Sequence, residues 1–214
     1  MKPKDKYTDQ TYTYLALRKA VGCIGIALPF ALMTGMSLIF KGEVIQKTIS
    51  QYYYTGMRDV LTGSLCAIAL FMFYYKGYDK WDNWIGNLAG IFALGIAWFP
   101  TSPAEPQDII GSIHFISASA FFIILAGFSL FRFTLTEKEK SLTKQKLNRN
   151  IIYRICGVVM LVCLLSIVIY FKFFHTAFSD SHFVFWGETV ALIAFGVSWL
   201  TKGGTLYPDK RKGI

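Results

Sequence analysis

Charge is scarce in this 214-residue chain. Asp, Glu, Lys and Arg make up 16% of it, against about 25% in an ordinary soluble domain. Polar stretches are short, the longest about 20 residues, so no soluble domain fits in a tail or loop. Cysteine is limited to Cys23, Cys66, Cys156 and Cys163, each inside an apolar run. The absence of CxxC or Cys/His spacing removes the common zinc and redox motifs and leaves the thiols as small apolar fillers. There is no zinc-finger pattern, no RNP-type strand and no recognisable basic recognition helix, so the net charge of +9 does not point to nucleic acid. Internal repeats and low-complexity segments are missing too. The first apolar run ends at Lys41-Gly42-Glu43, without the small-residue cleavage site of a signal peptide, and is expected to stay as a span.

What is abundant is apolar sequence. The chain is 54% hydrophobic and 17% aromatic, and these residues fall in blocks long enough to cross a bilayer. This composition predicts an all-α, integral membrane bundle forming one domain over 1–214, with six spans at about 20–40, 58–75, 84–99, 109–131, 151–171 and 183–200. Residues 12–15 read as an amphipathic lead-in, and Pro29 predicts a kink in span 1. Two small-residue stripes predict close helix contact: Gly86, Gly90, Ala93 and Ala97 in span 3, and Gly187, Ala191, Ala194 and Ser198 in span 6. The segment 132–150 reads as a solvated inter-helix loop with room for a surface helix. With the N-terminus inside, 18 of the 22 Lys and Arg residues fall on inner segments. This bias predicts that both termini are cytoplasmic and that the protein is multi-pass in the plasma (inner) membrane.

The bundle looks organised around TISQYYYTGMRD, residues 48–59. This topology puts that segment at the outer face, together with Glu43, Asp108, His114, His175, His182 and Glu188. Arg58 and Asp59 open span 2, His114 lies one to two turns into span 4, and Glu188 about one turn into span 6. Charges in an apolar zone face a partner or a water-filled cavity. An outward-opening polar pocket between spans 2, 4 and 6 is therefore expected, roofed by the tyrosines. Its candidate ligand-binding residues are Ser50, Tyr52, Tyr53, Arg58, Asp59, His114 and Glu188. Each has a plainer reading: interfacial belt tyrosines, an arginine snorkelling to phosphate, a buried histidine bonded to a neighbouring helix, a structural ion pair.

The run TISQYYYTGMRD, then DNWIGNLAGIFALGIAWF, then GSIHFISASAFF resembles the six-span DRAM/Frag/Sfk superfamily and related uncharacterised bacterial membrane families. The corresponding positions are Ser50, Asn87, Gly90, Gly95, His114 and Ala118. The resemblance implies a lipid-linked role at the membrane, such as GPI-anchor remodelling, phospholipid retention or autophagy-related signalling. The YYYT-x-x-RD run departs from the eukaryotic members. A second similarity is to the seven-span ceramidase-like hydrolases. It would cast Ser50, Asp59 and His114 around a zinc ion that activates water, although the HxxxH pair is absent.

Three functions compete. The first is a membrane protein that binds a lipid or amphiphile in the outer pocket, with Arg58 holding phosphate or carboxylate. It expects membrane lipid as partner, no cofactor and no bound metal. The second is a metal-dependent membrane hydrolase. The third is a structural or signalling component whose basic inner loop meets a partner or anionic lipid. No span carries a polar stripe along its whole length, which argues against a pore through one protomer. A homo-oligomer with a pore between protomers stays open.

Overall fold

The computed structural model describes residues 6–102, 108–136 and 143–208. Six helices carry the fold: α1 (Lys6–Gly35), α2 (Arg58–Tyr74), α3 (Lys80–Trp98), α4 (Ile109–Gly127), α5 (Lys144–Phe173) and α6 (Phe183–Lys202). Wider π turns extend α1 over Met36–Phe40 and α4 over Phe128–Arg132, and a short 3₁₀ helix covers Ser50–Tyr54. No strand occurs among the described residues.

Several boundaries follow from local chemistry. The Asp79 carboxylate accepts the Asp82 N–H at the start of α3, and Asp108 accepts the Gly111 N–H at the start of α4. Each satisfies one of the orphan donors of a helix N-terminus. These bonds hold both carboxyls below the usual aspartate range, with Arg132 also acting on Asp79 and Ser102 on Asp108. Thr143 caps α5 in the same way, through the Lys146 N–H. One sequence expectation changes as a result: residues 144–150 are the first turns of α5, continuous with the span. The lead-in at 12–15 runs on into the span as part of α1. Pro29 sits inside α1 without ending it. Lys2 and Lys4, most of the 100–108 turn, residues 137–142 and the basic tail from 209 lie outside the described residues.

Each helix packs against the next in sequence, and α6 returns to α1, so the six close into a ring. Connections alternate between two ends. One, here the Ser50 end, carries 41–57, 99–102 and 174–182. The other, the Arg132 end, carries 75–79 and 133–136, and the residues after α6, 203–208, lie there too. The expected stripe on α3 is buried at Gly86, Gly90, Ala93 and Ala97. On α6, Ala191, Ala194 and Ser198 are buried and Gly187 half-buried. Closest of all is the α1–α6 crossing. A Cβ on Gly22 would stand 2.8 Å from the Gly196 carbonyl oxygen, and one on Gly196 would stand 2.5 Å from that of Gly22. Only glycine at both positions lets the backbones touch.

Four helices, α1 with its extension, α4 with its extension, α5 and α6, are long and apolar enough to cross a membrane. At 17 residues α2 is shorter, and α3 begins with a polar turn. Large apolar side chains cover the outside of the ring, including Leu70, Ile91, Ile116, Val162 and Leu165. A monomeric soluble protein rarely exposes so much apolar surface.

The core is densest towards the Arg132 end. Trp199 is wholly buried, with ring centroids of Phe133, Phe71 and Tyr75 at 5.2, 5.3 and 5.3 Å, all edge-on. Phe195 and Phe128 lie at 6.1 and 6.4 Å. Such edge-to-face contacts set the ring quadrupoles favourably. Beside this cluster, Asp82 is fully buried and is bonded by Arg132 Nε, while Arg132 also reaches Asp79 at 2.6 Å.

Candidate functional site

The segment 44–51 is stitched to the start of α6. The Phe185 N–H donates to the Lys47 carbonyl at 3.0 Å, so an orphan donor of the α6 N-terminus ends on the loop. One turn later the Glu188 carboxylate accepts the Ile49 N–H at 2.5 Å. Lys47 pairs with Asp180 at 3.0 Å, and His182 Nδ1 meets the Gln46 carbonyl at 3.3 Å. These contacts fix the backbone immediately before Ser50.

In a 3₁₀ helix successive side chains point about 120° apart, so the three tyrosines take three partners. The Tyr52 ring is buried beside Phe185, and its hydroxyl donates to the Val44 carbonyl. Burial raises its pKa above the ordinary tyrosine range, which keeps that donor protonated. Tyr53 takes the Arg58 guanidinium both on its face, 4.2 Å from the ring centroid, and at its hydroxyl at 2.5 Å. The Tyr54 hydroxyl donates to the Thr101 carbonyl and ties the segment to the α3–α4 connection.

A cavity of about 580 Å³ opens beneath this segment, between α4, α5 and α6. Its mouth is polar: Lys47, Thr48, Ser50, Gln51, Thr101 and His175 border it, with His114 and Glu188 below. Deeper, its walls are Ala118, Phe122, Met160, Leu164 and Ile167. From His114 to Phe122 the helix rises about 12 Å. The gap has a structural origin. Near the Arg132 end α4 and α5 are in close contact: a Cβ on Gly157 would stand 3.2 Å from the Ala126 carbonyl. Towards the Ser50 end larger side chains hold them apart, and Phe115 of α4 meets Phe171 of α5 edge-on at 6.4 Å. Ile167, Tyr170 and Val184 form a buried cluster separate from the main core.

Ser50, His114 and Glu188, drawn from three separate parts of the chain, border this one cavity. Ser50 Oγ lies 2.8 Å from His114 Nε2, and His114 Nδ1 lies 2.7 Å from the Phe99 carbonyl. The expected pocket between spans 2, 4 and 6 differs in position. The cavity has α5 as a wall and lacks α2. Arg58 and Asp59 are exposed, and neither they nor Tyr52 and Tyr53 line it. The reason is that Arg58 has its partner locally, in Tyr53 five residues back. Glu188 likewise does not pair with Arg58 or His114; a backbone N–H is its partner. Sequence reasoning missed Thr48, Gln51 and Thr101 in the lining. Their signal was available: polar residues flanking Ser50, and a threonine opening the α3–α4 connection.

The zinc-centred arrangement finds no ligand set. His114 has both ring nitrogens engaged, Asp59 is exposed away from it, and among the described residues no three His, Cys, Asp or Glu side chains gather as a metal would require. Comparison of the chain with protein-family models, with curated proteins and with solved structures finds no match.

Proposed function

We propose that the protein is a six-span plasma-membrane protein that binds a lipid or other amphiphile at its outer face. The observation that carries the reading is the gradient along one cavity: hydrogen-bonding groups at the mouth, hydrocarbon walls below. A headgroup would meet Ser50, Gln51 and Glu188, and an acyl chain would run between α4 and α5. Its size falls within the range of about 300–1,000 Å³ usual for small-molecule sites. Thr101 Oγ1 adds support. It is buried at the cavity wall with no hydrogen-bond partner among the described residues, and a buried hydroxyl left unpaired is costly. The resemblance to the DRAM/Frag/Sfk layout points the same way, towards lipid.

Substituting Ala118→Trp would fill the lower cavity. Binding of a fluorescent fatty-acyl probe by the detergent-purified protein should fall about 100-fold or more, equivalent to about 2.7 kcal/mol. The control Leu161→Trp, on the outer face of α5, should leave it unchanged. Equal binding by both variants would remove the cavity from the account.

The exposed apolar faces of α2 and α3, at Leu70 and Ile91, support counting them as spans beside the other four. The positive-inside bias supports N-in, C-in. In a variant cleared of native cysteines, Asp180→Cys should react with an impermeant maleimide added to intact cells. Lys80→Cys should react only after lysis. The opposite pattern would invert the topology.

A further inference from the structure

Resting on the amphiphile reading, we infer that Ser50 and His114 form a nucleophile–base pair that cleaves an ester within the bound amphiphile. The geometry assigns the protons. A carbonyl oxygen only accepts, so the Phe99 carbonyl 2.7 Å from His114 Nδ1 keeps a proton on that nitrogen. Nε2 of the neutral ring is then the acceptor, and the Ser50 hydroxyl donates to it at 2.8 Å. Nucleophile, base and a third group orienting the base are the three parts that activate a serine. Here the orienting group is a backbone carbonyl, which also locks the tautomer.

Two side chains beside Ser50 have donors to offer a developing oxyanion. Thr48 Oγ1 accepts the Gln51 N–H at 3.0 Å, which leaves its hydroxyl proton to donate. Gln51 Oε1 accepts the Lys47 N–H at 3.1 Å, which leaves the amide Nε2 as the remaining donor group. Both residues border the cavity. Glu188 is a positioning residue: its bond to the Ile49 N–H holds the peptide next to Ser50.

The step balances as acyl transfer to water. Ser50 Oγ attacks the ester carbonyl while its proton passes to His114 Nε2. The tetrahedral adduct collapses, the C–O bond to the alcohol breaks, and His114 returns the proton to the leaving oxygen. Water then attacks the acyl carbonyl while losing a proton to His114, the bond from the acyl carbon to Ser50 Oγ breaks, His114 returns the proton to Ser50 Oγ, and the carboxylic acid leaves. The net reaction is ester plus water to alcohol plus acid, with no redox change. The apolar lower cavity sets the substrate class as an ester of a long-chain acyl group.

The test is covalent. Purified full-length protein in detergent is treated with an alkyl fluorophosphonate, and the adduct is mapped by mass spectrometry. One adduct on Ser50 is expected in the wild type, together with hydrolysis of p-nitrophenyl octanoate. Ser50→Ala should abolish both. His114→Asn should slow labelling about 100-fold or more, the usual range for a general base. Wild-type protein that binds the acyl probe but gains no adduct on Ser50, or gains one on another serine, overturns the inference and leaves the binding reading standing. Wild-type protein that neither binds the probe nor forms the adduct overturns both.

Discussion

Replacing Arg132 by Met should lower the unfolding free energy by about 3–5 kcal/mol, the usual result of stranding one member of a buried ion pair. Asp82 is fully buried, and Arg132 is its cationic partner. The other bond to its carboxylate comes from the Tyr78 N–H at 2.6 Å. Without the guanidinium, that carboxylate would remain buried with a single neutral donor bonded to it. Arg132 also holds Asp79, the residue that caps α3, so the α2–α3 connection loses its anchor to the end of α4. Adding Asp82→Asn should recover part of the loss. Asparagine carries no charge to strand, and its carbonyl can still accept from Tyr78. Thermal unfolding of the wild type and the two variants in one detergent checks this. A change below about 0.5 kcal/mol in the single variant, the size typical of exposed pairs, would mean that the pair contributes little.

Trp199→Ala should cost about 3–5 kcal/mol, and Trp199→Phe clearly less. Truncating a large core aromatic forfeits its burial and leaves a cavity that its neighbours fill only in part. Trp199 has five aromatic neighbours within 6.4 Å, contributed by α2, α4 with the residues that follow it, and α6. Both variants remove the indole N–H, so the difference between them reports retained ring volume. The Trp199 indole Nε1 is buried without a partner among the described residues, an arrangement that itself costs stability. Removing that donor offsets part of the lost packing. Equal destabilisation by the two substitutions would contradict the packing origin of the loss.

The helices were legible because apolar block length is a one-dimensional signal, and the small stripe of α3 because four-residue spacing maps to one helical face. The start of α5 was legible in principle. Thr143 followed by a run free of Gly and Pro is an N-terminal signature, but its charge density argued for a loop. The Gly22–Gly196 contact was not legible, because pairing one glycine with another across 174 positions requires knowing that α6 closes the ring on α1. The site divides in the same way. Which end holds Ser50, His114 and Glu188 follows from counting spans. Which of the polar residues at that end turn inward does not. Arg58 and Ser50 are eight residues apart, yet one stacks on a tyrosine at the surface and the other bonds a histidine inside. The 3₁₀ turn between them decides this, and no periodicity in the sequence announces it. The Arg132–Asp82 pair was hidden because Arg132 counted as one more inner-side basic residue in the topological bias.

Native mass spectrometry of the full-length protein, released gently from detergent after extraction from its membrane, tests the central claim most directly. An amphiphile-sized mass should be retained by the wild type and by Leu161→Trp, and lost from Ala118→Trp. A wild-type spectrum of bare protein, or the same adduct on all three, would contradict it.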